Sequence, residues 1–285
     1  MKYPSEADRG PASAPGKRLR TLLLPLAVGA LLLAVLTLMA AETWKDYKST
    51  LISSQTQQME LVVQSISDSI RFSLEEYTDR LDAAAGKLRE NPSQPLNLSR
   101  SDSITDLWVE DAEGNIVYSR YGVRLVCDVL LTQDGKISYW QYHQGDHHYL
   151  VLKEPVDDRA VCLVVDSEAV YDQLVSDIHV GTNGYIVIKT ADNRIVMHPE
   201  SAQWGIDILE GRRKLYQQYK LDMSSLEELL AAQLTQPSGI MTYYSYWWTD
   251  PDLPRVQKIS AFRKLELGDS FWTVSAVVDY DDLYQ

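Results

Sequence analysis

The segment Gly135-Lys-Ile-Ser-Tyr-Trp-Gln-Tyr142 recurs later in the chain as Gly239-Ile-Met-Thr-Tyr-Tyr-Ser-Tyr246. Two further stretches recur in the same order around it, with residues 108–118 matching 187–197 and residues 161–166 matching 274–279. Segments repeated in one order indicate a single structural unit that is present twice. The fold of the chain therefore depends on the fold of this unit.

Each copy has the pattern of a small antiparallel sheet. β-Rich runs on either side of a glycine-containing turn predict hairpins. In the first copy these turns are Asp111-Ala-Glu-Gly114 and Gln144-Gly-Asp146. The strands predicted there, about five in number as is common for a sheet, are residues 104–109, 115–119, 136–143, 148–152 and 160–165.

The second copy repeats this order with a longer connection between His198 and Gly239. That connection contains residues 224–234, which have the pattern of a helix with Ser224 and Ser225 as N-cap candidates. A further helix is predicted between the copies, at residues 167–178. The strands predicted in the second copy are residues 185–189, 194–198, 240–247, 257–262 and 271–278.

The chain of 285 residues has a formal net charge of −13 that is unevenly placed. The first 20 residues carry five basic and two acidic side chains, a net of +3, so the remainder carries −16. That acidity argues against nucleic acid as a partner of the folded part. The two cysteines, Cys127 and Cys162, form either one bridge outside the cytoplasm or two free thiols on strands.

An uncharged stretch rich in Leu, Ala and Val, residues 21–41, follows the basic tail of residues 1–20. About 20 residues at ~1.5 Å each match a hydrocarbon core of roughly 30 Å, which predicts a transmembrane helix. Basic residues before it and acidic residues after it predict a cytoplasmic N-terminus, with residues 42–285 outside. The alternative, a cleaved signal peptide, fits less well because Leu38-Met-Ala-Ala41 is a poor cleavage site.

Residues 42–92 are predicted to form a long helix, because no proline interrupts them before Pro92. A helix of ~50 residues reaches ~75 Å, too long for a compact domain unless it lies along something else. Its apolar stripe packs either on the repeated modules or on the same helix of a second copy, as in a homodimer. The stripe comprises Ile52, Thr56, Met59, Val63, Ile66, Ile70, Leu74, Tyr77, Leu81, Ala84 and Leu88.

This order of elements resembles the double Cache family of bacterial transmembrane receptors, whose extracytoplasmic modules are PAS-like. The resemblance covers roughly residues 42–285. The segments that carry it are Val164-Val-Asp-Ser-Glu-Ala-Val-Tyr-Asp-Gln-Leu-Val175, Gly184-Tyr-Ile-Val-Ile188, Ile195-Val-Met-His-Pro199 and Phe271-Trp-Thr-Val-Ser-Ala-Val-Val278.

The resemblance implies an α+β fold, in which a transmembrane helix and a long α-helix precede two tandem antiparallel-sheet modules. The domains expected on this basis are a cytoplasmic tail (1–20), a transmembrane helix (21–41), a long extracytoplasmic helix (42–92), a membrane-distal module (93–166), a connecting helix (167–182) and a membrane-proximal module (183–285).

The resemblance also implies a small-molecule pocket on one sheet face of each module, with the membrane-distal module as the usual binder. Its lid would be residues 120–135, where Tyr121 and Arg124 are ligand-binding candidates. That stretch lacks the Arg-x-Trp-Tyr cluster of the family's amino-acid sensors, so amino-acid sensing is not supported. Asp166 lies where those sensors place a carboxylate for a ligand amine; alternatively, it caps the connecting helix.

Aromatic residues are dense in the repeated strand, and Tyr139 and Tyr142 are further ligand-binding candidates. Alternation along a strand places Trp140 and Tyr142 on one face and Tyr139 on the other. One aromatic set is expected to pack in the core or on the long helix. The other either lines a pocket or also packs in the core.

No catalytic motif, phosphate loop or zinc-binding cysteine pattern is present in the sequence, so we expect no enzyme activity, cofactor or metal. His143 and His147 come near each other in a hairpin turn. No third metal ligand can be named beside them, so both are predicted to be exposed turn residues.

The expected function is small-molecule sensing outside the plasma membrane, as part of a bacterial receptor of histidine kinase, chemoreceptor or diguanylate cyclase type. Such receptors continue into a second membrane helix and an output domain, whereas this sequence ends at Gln285. The chain is then either a fragment or signals through a separate output partner. The alternative function is a membrane-anchored solute-binding or structural protein without signalling output. The sequence does not identify the ligand.

Overall fold

The computed structural model describes residues 15–92, 96, 101–175, 178, 184–248, 250 and 252–284. The chain divides between Ile52 and Ser53 into two compact units. The first unit contains the described part of an apolar stretch that is long enough to cross a membrane. Its large apolar side chains from Leu26 to Met39 are exposed, as expected of side chains that meet lipid.

Helix α1 (Pro15–Glu90) joins the two predicted helices into one element. Within the second unit, one face of α1 is buried because its apolar residues recur at the helical period. The predicted stripe therefore packs on the protein's own modules. Its buried apolar side chains are Met59, Val63, Ile66, Ile70, Leu74, Tyr77, Leu81, Ala84, Ala85 and Leu88.

The first sheet has six antiparallel strands in the order β2-β1-β6-β5-β4-β3. The prediction of about five strands is wrong because β3 lies inside the predicted lid, where it hydrogen-bonds along β4 at the sheet edge. The strands are β1 (Ile104–Glu110), β2 (Ile116–Ser119), β3 (Val126–Asp134), β4 (Ile137–Gln144), β5 (His147–Val156) and β6 (Arg159–Asp166).

The second sheet has five antiparallel strands in the order β8-β7-β11-β10-β9. This order repeats that of the first sheet without β3, so the two sheets are copies of one module, as the repeat predicts. The strands are β7 (Tyr185–Thr190), β8 (Ile195–Met197), β9 (Ser238–Tyr246), β10 (Arg255–Leu267) and β11 (Ser270–Asp279).

Helix α2 (Ser167–Val175) follows the first sheet directly, and helices α3 (Glu210–Leu215) and α4 (Ser224–Thr235) lie in the longer connection of the second module. Short 3₁₀ turns are formed by Ser201–Gln203 and Asp281–Tyr284. The apolar side of α4 packs over the second sheet, which makes a core with Leu226, Leu229, Leu230, Tyr243, Phe262 and Val277.

The N-terminus of α4 differs from the prediction that Ser224 or Ser225 caps it. Met223 is the N-cap residue and makes no side-chain cap hydrogen bond. The carboxylate of Asp222 instead accepts hydrogen bonds from the backbone N–H and the hydroxyl of Ser224, at 3.1 and 2.7 Å. The Ser225 hydroxyl accepts from the backbone N–H of Tyr244 at 2.9 Å, which ties α4 to β9.

Helix α1 contacts the two modules at different heights. Its Tyr77 hydroxyl donates to Ser103 at 2.9 Å, just before the first sheet. Residues 57–64 of α1 instead line a groove with Phe262 and Arg263 of the second sheet. The second module therefore lies beside the part of the helix nearer in sequence to the apolar stretch.

Candidate functional site

A buried carboxylate that the sequence did not single out fixes the start of the first module's predicted lid. The Asp106 side chain is completely buried. It accepts hydrogen bonds from the backbone N–H of Tyr121 and Val123, at 2.9 and 3.0 Å. The Ser119 hydroxyl donates to it at 2.7 Å. The available signal was an acidic residue inside an otherwise apolar strand, where a carboxylate needs several donors.

The two candidates in that lid, Tyr121 and Arg124, lie at the surface. The Tyr121 side chain is 40% exposed, and the guanidinium of Arg120 lies 5.7 Å from its ring centre. Arg124 is exposed, and one residue, Leu125, separates it from β3. Both candidates therefore lie at the surface of the first module.

Tyr139 and Tyr142 lie on opposite faces of β4, as strand alternation predicts. Tyr142 packs edge-on against Trp108, with 5.9 Å between ring centres. Tyr139 packs edge-on against Trp272 of the second module, also at 5.9 Å. Burial raises the pKa of both tyrosines. The structure does not bring the two side chains together in one site.

Asp166 makes the contacts of a helix cap. One of its carboxylate oxygens accepts a hydrogen bond from the backbone N–H of Ala169 at 3.0 Å, in the first turn of α2. The same oxygen lies 2.9 Å from Nε2 of His147, whose Nδ1 lies 2.9 Å from Glu168. The Asp166 side chain is 19% exposed, so it can still be reached from solvent.

The first module neutralises its other buried carboxylates internally. Glu110 accepts from Trp108 Nε1 at 2.9 Å and forms an ion pair with Lys153. Glu154, which is completely buried, accepts from Arg89 of α1 at 2.6 Å and from Lys136 at 2.7 Å. These contacts offset the cost of removing the carboxylates from water.

The second module contains a small closed cavity between its sheet and the helices α3 and α4. Its volume is about 20 Å³, enough for one water molecule. Strands β7, β10 and β11 form the floor and α4 forms the roof. The polar lining residues are Tyr185, Lys189, Arg212, Gln233, Tyr243, Ser260 and Ser275.

Arg212 is the principal charge of this cavity. Only 3% of the residue is exposed, and its guanidinium lies 4.1 Å from the centre of the Trp248 ring. Its Nε and Nη2 donate to the amide oxygen of Gln203 at 2.9 and 2.6 Å. Burial lowers the pKa of Arg212 to about 10. An amide oxygen carries no formal charge, so the guanidinium is not neutralised by this partner.

Lys258 and His198 are buried close to Arg212. The Lys258 ammonium donates to the Tyr246 carbonyl at 2.6 Å and lies 3.9 Å from the centre of the Trp247 ring. Burial, and then the charge of Arg212, lower the pKa of both Lys258 and His198. Because the backbone N–H of Glu200 donates to Nδ1 of His198, the neutral ring carries its proton on Nε2, which has no partner.

Lys189 is the second cation that lines the cavity. It is 2% exposed and donates to the amide oxygen of Asn193 at 2.9 Å. Burial lowers the pKa of Lys189 to about 8. Within the described part of the chain, Lys189, Arg212 and Lys258 form no salt bridge with a carboxylate.

Two buried polar atoms in the cavity wall also lack hydrogen-bond partners. They are Oγ of Ser260 and Oε1 of Gln233, whose residues are at most 2% exposed. The amide nitrogen of Gln233 donates to the Ser275 hydroxyl at 3.1 Å, which turns Oε1 away from Ser275. Buried polar groups usually have partners, so these two atoms leave hydrogen-bonding capacity open at the cavity wall.

His143 and His148 of the first module line a wide groove beside Trp204 and Ser201. His143 lies 2.5 Å from Asp128, and the ring of His148 stacks on Trp204 at 5.2 Å. In the portion of the chain that the structure describes, no three His, Cys, Asp or Glu side chains are grouped so as to hold a metal ion. Burial lowers the pKa of His148.

The cysteines are free rather than bridged, which decides between the two alternatives left open by the sequence. Cys127 is exposed and Cys162 is buried. Burial raises the pKa of the Cys162 thiol, so this thiol is a core side chain of low reactivity.

The modular architecture matches solved structures of bacterial sensory domains. The chain resembles the ligand-binding domain of the Pseudomonas aeruginosa PAO1 amino acid chemoreceptor PctB, in complex with L-Arg. The identity is 14%, the match covers 80% of this chain and 96% of that one, and the TM-score is 0.54. The chain therefore has the double Cache fold.

Two further structures support the double Cache fold. The ligand-binding domain of the Pseudomonas fluorescens chemoreceptor CtaA, in complex with L-isoleucine, matches at 14% identity over 84% of this chain and 98% of that one, with a TM-score of 0.55. The periplasmic sensory domain of the Campylobacter jejuni chemoreceptor Tlp1 matches at 12% identity over 82% and 98%, with a TM-score of 0.53. No protein-family model and no curated protein matches the sequence.

Proposed function

We propose that this chain is the small-molecule sensing part of a membrane-anchored bacterial signalling receptor. The observation that supports the proposal is a double Cache fold in which one module encloses a polar cavity under lid helices. The chemoreceptor domains that this chain resembles are ligand-binding domains, which favours sensing over a purely structural role. The convergence of several polar groups on one cavity under the lid helices supports the same function.

We further propose that residues 42–285 lie outside the bacterial plasma membrane and that the N-terminus is cytoplasmic. The basic tail and the acidic remainder support this orientation through the positive-inside rule. Helix residues 57–64 lie beside the second module, which supports assigning residues 183–285 as the membrane-proximal module and 93–166 as the membrane-distal one.

The signalling unit proposed here is a homodimer formed along α1. Leu61 and Phe72 are 62% and 76% exposed on this helix. They are separated by eleven residues, close to three helical turns, so they share one face. Leu61 also borders the groove beside the second module, so Phe72 is the main exposed apolar residue suited to packing on the same helix of a second copy.

Ligand binding would act on α1 by shifting the population of module conformations. The first module is fastened to α1 by Arg89 and by Lys136, which also pairs with Asp82 of the helix at 2.6 Å. The second module meets α1 in the groove at residues 57–64. A movement of either module relative to the helix therefore reaches the segment that leads to the membrane.

The test uses the full-length chain in membranes, with Phe72→Cys in a Cys127→Ser background. Disulfide formation between copies is measured with and without amino acids, organic acids, amines and sugars. If the chain is a sensor, at least one of these ligands should change the crosslinked fraction about twofold or more. The matched control is Leu234→Cys, which is exposed on α4 rather than on the proposed α1 seam and should not crosslink.

The same measurement separates the sensor from a solute-binding or structural protein. Ligand binding that leaves the Phe72→Cys crosslinking unchanged would favour the solute-binding protein. No crosslinking under any condition would remove the proposed dimer.

A further inference from the structure

We propose that the closed cavity of the second module binds a short hydroxycarboxylate, with the carboxylate beside Arg212 and Lys189. This proposal rests on the sensing function and deepens it by naming the class of ligand and the module. It differs from the expectation that the first module is the binder.

The charge of the cavity selects an anion. Its lining contains two buried cations, Arg212 and Lys189, and no acidic residue. Lys258 and His198 lie close enough for Arg212 to affect their protonation. Asp192 lies near Lys189 and Asp207 near Arg212, but neither carboxylate forms a salt bridge with these cations among the described residues. An entering carboxylate would add the direct charge-assisted hydrogen bonds that are missing.

The two cavity-wall atoms without hydrogen-bond partners, Oγ of Ser260 and Oε1 of Gln233, indicate which polar groups the ligand carries. The Ser260 hydroxyl can donate to a carboxylate oxygen, which completes its hydrogen bonding. Oε1 of Gln233 can only accept, so it calls for a donor on the ligand. An ammonium group would meet Arg212 and Lys189 with like charge, whereas a hydroxyl supplies the donor without repulsion.

The remaining cavity wall is apolar, which favours a ligand with a short apolar skeleton. Leu226, Leu229 and Leu230 of α4 close the cavity from above, and Val187 and Val277 lie on the sheet. Burying a methyl group against these side chains is favourable by the hydrophobic effect. The cavity of about 20 Å³ is too small for a three-carbon acid, so α3 or α4 must move away from the sheet for the ligand to enter.

The movement of the lid links the ligand to the rest of the molecule. Arg213 joins the two lid helices by pairing with Glu210 of α3 and Glu227 of α4, at 2.6 and 2.8 Å. Ser225 joins α4 to the backbone of Tyr244 in β9. Displacing α4 therefore pulls on the edge strand of the second sheet.

The test is isothermal titration calorimetry on the full-length chain in detergent micelles at pH 7. The probes are L-lactate, propionate without the hydroxyl, L-alanine with an ammonium in its place, neutral lactamide, and sulfate. We expect L-lactate to bind one-to-one and at least about tenfold more tightly than each of the others. Equal binding of propionate would overturn the role of the hydroxyl, and absence of lactate binding would overturn the proposal.

Two variants locate the site, with one matched control. Arg212→Gln should weaken lactate binding at least about tenfold. Lys214→Gln removes one positive charge from an exposed position of the same helix α3 and should leave the affinity within about twofold. Lactate binding that survives Arg212→Gln would place the ligand elsewhere.

A cavity-filling variant keeps the test decisive if Arg212→Gln does not fold. Ser260→Val replaces a buried, unpartnered hydroxyl on strand β10 with a side chain that strands favour. It should melt at least as high as the parent and lose lactate binding. Lactate binding with the parent's affinity in this variant would overturn the proposal.

The outcomes also separate this inference from the proposed function. If lactate binds but the crosslinking of Phe72→Cys does not respond, the ligand class stands and the sensing function fails. If another ligand changes the crosslinking and its binding is indifferent to Ser260→Val, sensing stands and this site assignment fails.

Discussion

The two modules share one sheet topology but bury charges of opposite sign in different ways. The first module buries the carboxylates Asp106, Glu110 and Glu154, and each is met by donors of the same molecule. The second module buries bases, and those described form no salt bridge with a carboxylate. The buried bases are Lys189, His198, Arg212 and Lys258.

This contrast indicates that the copies have diverged in function. Paired carboxylates tie together the first module's sheet, the start of its lid and its contact with α1. The second module's buried cations form no salt bridge among the described residues, and the insertion that carries α3 and α4 covers them. The anion site proposed for the second module rests on this difference.

The largest expected effect comes from breaking the ion pair between Lys153 and Glu110 in the first module. Lys153→Met leaves the carboxylate of Glu110 buried without its cation and should destabilise the protein by about 3 kcal/mol. The melting temperature of the full-length chain should fall by roughly 6–12 °C, at about 2–4 °C per kcal/mol for a folded region of this size. The measurement is thermal unfolding followed by circular dichroism.

The matched change in the second module is Lys258→Met. It removes a buried cation that has no salt bridge among the described residues, at the cost of two hydrogen bonds, to the Tyr246 carbonyl and the Tyr185 hydroxyl, and of the contact with the Trp247 ring. Replacing an uncompensated buried charge by an apolar side chain is expected to be neutral or stabilising. A loss of melting temperature in Lys258→Met as large as that in Lys153→Met would end the proposed contrast between the modules.

The next prediction concerns the change in unfolding free energy at alkaline pH that the buried Lys189 of the second module causes. Its folded pKa is lowered from 10.5 to about 8, so between these values the unfolded chain binds the extra proton. Stability therefore rises with pH in this window, by about 2 kcal/mol between pH 8 and 10. Neighbouring charges are Asp192, which raises this pKa, and Lys264, which lowers it.

Urea unfolding of the full-length chain at pH 8, 9 and 10 measures the pH dependence, and Lys189→Met should lower the change in unfolding free energy between pH 8 and 10 by about 2 kcal/mol relative to the parent. Lys258, whose pKa burial also lowers, and the buried tyrosines affect parent and variant alike, so the comparison isolates Lys189. Burial raises the pKa of Tyr185 to about 12, so ionisation then favours the unfolded chain. Equal pH slopes in parent and variant would show that Lys189 is not the group concerned.

Much of the fold follows from the sequence because it depends on periodic burial and on the repeat. The stripe from Met59 to Leu88 and the alternation of Tyr139 and Tyr142 are consequences of helix and strand geometry. Strand β3 was missed because Val126–Asp134 is an edge strand with mainly exposed side chains and was assigned to the lid. Its hairpin with β4 did have a local signal, the pair Asp134-Gly135 at the two-residue turn.

The candidate site was less predictable than the fold for a related reason. Arg212, Lys189 and Ser260 lie far apart in sequence, and each has a residue type that is usually exposed. Their burial depends on α3 and α4 closing over the sheet. Sequence signals mark polar residues in apolar strands, such as Lys189 in Tyr185–Thr190, but not the cavity they share.

The smallest expected effect separates the two roles of Asp166 in the first module. Asp166→Ala removes the cap of α2 and should cost about 1 kcal/mol in urea unfolding. Asp166→Asn keeps a good cap and should cost only a few tenths of a kcal/mol, while it removes the charge that an amine ligand would need. Neither variant should change lactate binding, because Asp166 belongs to the first module. Loss of lactate binding in Asp166→Asn, with stability retained, would move the anion site out of the second module and remove the division of labour between the copies.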